Sequence, residues 1–144
     1  MYRHLIFLTA VLLLFDCKKN STDFGSFEGK LIAKTDENLY LHNDLIKVSI
    51  HNGTSRTAFF GHCAERIVFL TEIEKHSDWV EDGGWGMPCL AIFPAGTREI
   101  APFESYSDII RCNKAGTYRL KFPFGWQQEN TSDDWLFSNE FTVQ

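Results

Sequence analysis

The residues with the most obvious chemistry in this chain are Cys63, Cys89 and Cys112, with His62 beside the first. Thiolates and imidazole together bind zinc, but structural zinc sites place their cysteines in pairs two to four residues apart. The spacing here is far longer, so no metal site is expected. Glu72 and Glu74 are a second candidate. Residues two apart on a strand share a face, and two carboxylates so placed could cleave a glycosidic bond. Solvated charge is the commoner meaning of that spacing. Gly83-Gly84-Trp85-Gly86 has the glycine density of a phosphate loop. Met87-Pro88-Cys89 follows it, where a helix opening on Lys and Ser or Thr would be needed, so it reads as the tip of a long turn. No G-x-S-x-G or H-E-x-x-H occurs, and the five His are scattered. The expectation is a protein that is not an enzyme, with no catalytic residues and no cofactor. Trp79, Trp85 and Trp126 remain as possible stacking platforms for a sugar or another small ligand, although indoles more often belong to a core.

The N-terminus has a different character. Arg3 and His4 precede an apolar run from Leu5 to Phe15, interrupted by Thr9. This is the length of a signal-peptide core and too short to span a membrane. The run ends at Leu14-Phe15-Asp16-Cys17, and polar Lys18-Lys19-Asn20-Ser21-Thr22 follows. A cysteine in this place resembles the lipobox of bacterial lipoproteins, although Asp16 stands where that family usually has Gly, Ala or Ser. The resemblance implies that Cys17 is lipidated, becomes the new N-terminus and anchors the protein at a membrane. The alternative is an ordinary cleaved signal that leaves Cys17 as a thiol. Residues 1–16 are thus expected to be a lipoprotein signal peptide, and residues 17–27 the lipidated Cys and a flexible tether. Export places the chain in an oxidising compartment, where two of the three remaining cysteines should pair. Cys63 and Cys89 are the expected pair, because a bond there would brace the glycine-rich loop at its base. The bond would close about 25 residues and stabilise by about 3 kcal/mol on the chain-entropy model.

Residues 28–144 must hold these groups in place. A formal charge of -5 with no basic run gives no expectation of nucleic acid as a partner. An aromatic content of 15%, including 13 Phe, favours sheets. In Leu45–His51, Ile46, Val48 and Ile50 take one parity and Lys47, Ser49 and His51 the other. Gly116 opens a longer alternation, with Tyr118, Leu120, Phe122 and Phe124 against Thr117, Arg119, Lys121 and Pro123. Such alternation marks strands with one face in a core. Arg66–Glu74 is apolar on both parities and reads as one central strand. Trp135, Phe137, Asn139, Phe141 and Val143 read as a last strand on a single parity. Short strands with turn signals every 8–12 residues indicate a sandwich or barrel. Tyr118 just after Gly116 has the placement of a tyrosine corner, a buried ring whose hydroxyl caps a nearby backbone group.

Three stretches together resemble a bacterial immunoglobulin-like domain. They are Ile46-Lys47-Val48-Ser49-Ile50-His51-Asn52, Gly116-Thr117-Tyr118-Arg119-Leu120 and Phe137-Ser138-Asn139-Glu140-Phe141-Thr142-Val143. The resemblance implies an all-β, immunoglobulin-like antiparallel β-sandwich over residues 28–144, and such domains share no catalytic residues. The expected function is a non-catalytic module of the cell envelope, held to the membrane by its lipid. It would present a surface to an unknown envelope protein or glycan. Alternatives are a carbohydrate or small-ligand binder using surface Trp residues, or a protease-inhibitor-like module using the loop Gly83–Pro88.

One experiment addresses the covalent chemistry. Peptide mapping of the unreduced protein from envelopes is expected to show an acylated peptide beginning at Cys17, Cys63 linked to Cys89, and Cys112 free to alkylate. Cys17→Ser should release the protein from the membrane. A Cys63–Cys112 linkage would require a different strand order.

Overall fold

The structure, a computed structural model, describes residues 28–83 and 95–144. The segments expected to be signal peptide and tether, with Cys17, Trp85, Cys89 and most of the glycine-rich loop, lie outside the described residues. Those residues form twelve strands and no helix. The first five are β1 (Leu31–Thr35), β2 (Leu39–Tyr40), β3 (Leu45–Asn52), β4 (Ala58–Cys63) and β5 (Arg66–Ile67). Next come β6 (Leu70–Lys75), β7 (Asp78–Glu81), β8 (Ala95–Ile100) and β9 (Ser105–Arg111). Last are β10 (Gly116–Gly125), β11 (Asp134–Phe137) and β12 (Phe141–Val143).

The strands make two sheets. The smaller has the order β1-β3-β9 and is antiparallel. The larger is built on β10, which pairs with β4, β6, β11 and β12. One pairing in it is parallel, β2 beside β12, with Leu39 opposite Thr142 and Tyr40 opposite Val143. Both sheets contribute to one core. Ile46, Val48 and Ile50 from β3 join Tyr118, Leu120, Phe122 and Phe124 from β10, as their parity predicts. The sheets are also joined at a side. The Arg66 Nε donates to Asp108 at 2.7 Å, and the Tyr106 hydroxyl accepts the Ile67 N–H at 3.2 Å.

Three elements differ from the sequence reading. The stretch Arg66–Glu74 is two strands, because the chain leaves β4 after Ile67 and joins β10 from Leu70. The second of them, β6, lies between β10 and β7 and so is interior. Pro94-Ala95-Gly96 has the residue types that end a strand, whereas β8 starts at Ala95 and runs along β4. The last strand is broken. Phe137 lies opposite Lys121 and Phe141 opposite Tyr118, so four steps on one strand match three on the other. This is the signature of a bulge. It turns the chain over: Phe141 and Val143 are buried, while Trp135 and Phe137 of the same parity are each 40% exposed.

Tight connections need unusual backbone. His76 and Ser77 take φ of 53° and 69°, as do Ala64 and Glu65 with 49° and 68°. Positive φ at both central residues is what a two-residue hairpin requires. Gly116 has φ of 153°, and a Cβ there would lie 2.9 Å from Ile73 Cδ1 and 3.2 Å from the Tyr118 ring. The Tyr118 ring therefore folds back onto Gly116 and is fully buried.

Tyr40 has the better-defined cap. Its hydroxyl donates to Asp36 Oδ1 at 2.7 Å and accepts the Glu37 N–H at 2.8 Å. Burial, with the Asp36 bond second, pushes its ionisation up to about 12 from an ordinary 10.0. The unfolded chain therefore loses this proton first as pH rises. The stabilisation is complete below pH 10.0 and disappears as pH approaches about 12. Urea unfolding midpoints should fall through that window by the equivalent of about 2–3 kcal/mol. Tyr40→Phe should start about 1–2 kcal/mol lower at neutral pH, having lost both bonds, and show a shallower alkaline fall. Equal alkaline slopes in the two proteins would remove Tyr40 as the cause.

Candidate functional site

The alternation in β10 that buries Tyr118, Leu120 and Phe122 sends Thr117, Arg119 and Lys121 to the outer face of the larger sheet. Neighbouring strands cover them with aromatic rings. Arg119 lies opposite Glu72 of β6, whose other neighbour, β7, carries Trp79 opposite Glu74. On the far side β11 presents Phe137 and Trp135.

The result is a ladder of alternating cations and rings. The Arg119 guanidinium sits 4.5 Å from the Trp79 ring centre and 4.4 Å from that of Phe137. Lys121 Nζ lies 4.2 Å from the centre of Trp135. Beneath them Glu72, only 7% exposed, receives both charges. Its Oε2 accepts from Arg119 Nε at 2.6 Å, and its Oε1 lies 3.4 Å from Lys121 Nζ. A carboxylate so far out of water needs that compensation. Glu72 is thus engaged with its neighbours, while Glu74 is exposed. Their shared parity yields no paired acid and base. The rings gain rigidity from the arrangement, since a guanidinium or ammonium over an aromatic face is attracted to it.

A hollow of about 600 Å³ opens beside the ladder, lined by Asn38, Thr117, Ser138, Asn139, Glu140, Phe141 and Thr142. The bulge shapes it. The Ser138 hydroxyl accepts the Leu120 N–H at 2.9 Å and donates to the Asn139 carbonyl at 2.7 Å. The Asn139 side chain turns towards β1, accepting the Thr35 N–H at 2.7 Å and donating to Thr35 Oγ1 and Asn38 Oδ1, both at 2.9 Å. Thr117 and Thr142 face each other across β10 and β12, with their hydroxyls 3.3 Å apart.

The Trp residues singled out from sequence separate. Trp79 belongs to the ladder. Trp126 packs edge-on against Phe124 at 5.4 Å under Arg56, at the margin of the core. Trp85 lies outside the described residues. Trp135 and Phe137 were not singled out as site residues. Their signal was present as two aromatics at period two, matching the period of Arg119 and Lys121.

Cys63 is buried at the end of β4. Cys112 is a free thiol. Burial pushes its ionisation up, and its Sγ lies 3.2 Å from the Lys114 carbonyl it donates to. No three His, Cys, Asp or Glu side chains gather as metal ligands among the described residues. The chain matches no protein-family model, and comparison with curated proteins returns no relative.

Arg119 holds the ladder, so its removal should be felt twice. Arg119→Ala leaves Glu72 with Lys121 alone and separates Trp79 from Phe137. The expected cost is about 2–3 kcal/mol in urea unfolding, below the range for a fully buried pair because Arg119 is partly exposed. Arg119→Lys should recover less than half, since an ammonium lacks the planar surface that both rings contact. Full recovery by Lys would mean that charge alone matters here.

Proposed function

We propose that this chain is a non-catalytic binding module of the bacterial cell envelope, anchored through Cys17 and using the ladder face to contact its partner. The observation that carries this reading is the position of Trp79, Phe137 and Trp135. Three large rings lie on one outer sheet face, with Trp135 and Phe137 each 40% exposed. Arg119 and Lys121 hold them there. Aromatic side chains immobilised before binding have little entropy left to lose, which is a property of recognition surfaces.

The scaffold reading is an immunoglobulin-like β-sandwich. It is supported by a three-stranded sheet β1-β3-β9 sharing one core with β2-β12-β10-β4. The parallel pairing of an early strand with the last, β2 with β12, adds to it. The anchor rests on the apolar run Leu5–Phe15 followed by Cys17. Cys89 is the proposed partner of Cys63, and the linkage is identified by the mapping described above. The inhibitor-like alternative depends on a loop that lies almost wholly outside the described residues.

A photo-cross-linking residue placed at position 135 in full-length protein, in intact cells, tests the surface. It should yield one dominant adduct, lost in the Arg119→Ala background. The same residue at position 47, on the outer face of the smaller sheet, should yield none. Equal labelling from both positions would refute the assignment of this face.

A further inference from the structure

The composition of this face narrows what it would bind. We infer that its ligand is an uncharged oligosaccharide, stacked on Trp135 and Phe137 and hydrogen-bonded in the adjoining hollow. This inference rests on the binding role proposed above and names its ligand class.

Two halves of a sugar site adjoin. One is the ladder, whose rings are held by cations on one face. A sugar ring carries a patch of C–H groups that packs on an aromatic surface, and a fixed indole is a suitable surface for it. The other half is the hollow, about 600 Å³, within the range of small-ligand sites. Thr117 and Arg119 are two residues apart on one strand, so hollow and ladder are neighbours on the same face.

The polar groups available in the hollow are those of hydroxyl recognition. Asn38 uses its Oδ1 for Asn139, which leaves its amide NH2 as a donor. Thr117 and Thr142 supply hydroxyls that both donate and accept. Glu140 is exposed and supplies a carboxylate acceptor. A polyhydroxyl ligand can pair with all of these.

Charge excludes the main competitor. Arg119 and Lys121 are the cations of this surface, and both are paired with Glu72 at 2.6 and 3.4 Å. The positive charge that one carboxylate leaves over is offset by exposed Glu74 on the same face of β6, and Glu140 at the hollow would repel a phosphate, sulfate or uronate. An anionic glycan therefore fits poorly. A sugar without charge leaves every existing pair intact.

The test uses the full chain and defined probes: a β-1,4-linked N-acetylglucosamine tetramer, an α-1,4-linked glucose hexamer, a mannose oligomer and, as the charged counterpart, a sulfated oligosaccharide. At least one uncharged probe should shift the amide resonances of Thr117, Glu140 and Thr142 and the indole N–H of Trp135, with an affinity insensitive to salt. Trp135→Ala should weaken that binding by about tenfold or more while leaving the unfolding midpoint near wild type. Glu140→Gln should weaken it less, and Lys47→Ala should not change it. Preference for the sulfated probe, binding unaffected by Trp135→Ala, or no uncharged probe bound would each overturn the inference. If the sugars fail but position 135 still cross-links a protein, the binding role stands and its ligand is a polypeptide. Failure of both removes the face as a binding surface.

Discussion

The side chain of Asn52 is the constraint on which the two sheets depend. It is fully buried, so each of its polar atoms must find a partner inside the protein. Its Nδ2 donates to the Arg56 carbonyl at 2.7 Å and to the Ile100 carbonyl at 2.9 Å. Its Oδ1 accepts from the Thr54 N–H at 3.1 Å and the Thr54 hydroxyl at 2.7 Å. Its backbone N–H and carbonyl bond Glu104 and Phe103. One residue thereby joins the end of β3, the approach to β4, the end of β8 and the turn into β9. Strands of both sheets meet there. Neither a shorter nor an apolar side chain could satisfy the same set, because two carbonyls and a turn would be left unpaired in the interior.

Ser138 and Asn139 do comparable work at the opposite end of the chain. A strand without interruption would have sent Trp135, Phe137, Phe141 and Val143 to one side. The extra residue sends the first two out and the last two in. Ser138 replaces a missing ladder bond to Leu120, and Asn139 reaches across to Thr35. The outer aromatic face thus exists because of a local irregularity whose polar groups are satisfied by Leu120 of β10 and Thr35 of the smaller sheet.

The sequence was most readable where a strand is regular and its burial one-sided. Ile46, Val48 and Ile50, and the whole run from Tyr118 to Phe124, lie as their parity required. So does Asn52, on the same parity of β3, although its place in the sequence carries no hint of which partners it takes. Reading failed where identity along the chain does not determine register. The break after Ile67 depends on β10 being nearer than β4, which is tertiary information. The bulge changes no residue type; it changes only which side each residue faces. Trp135 and Phe137 were legible as strand residues. Their role emerged only once Arg119 and Lys121 were known to lie on the adjacent strand.

The pairing of β2 with β12 also has a mechanical meaning. Because the two strands are parallel, the chain enters β2 at one end and leaves β12 at the other. The Thr142 N–H bonds the Asn38 carbonyl at 2.8 Å, the Gln144 N–H bonds Tyr40 at 3.0 Å, and the His42 N–H bonds Gln144 at 2.8 Å. A force drawing the two termini apart lies along these strands and strains the three bonds simultaneously. In the opposite arrangement the same pull would part them one after another. Tension from the N-terminal side loads β1 against β3 first, and once β1 has parted it reaches the β2–β12 seam, which holds until its three bonds give way together.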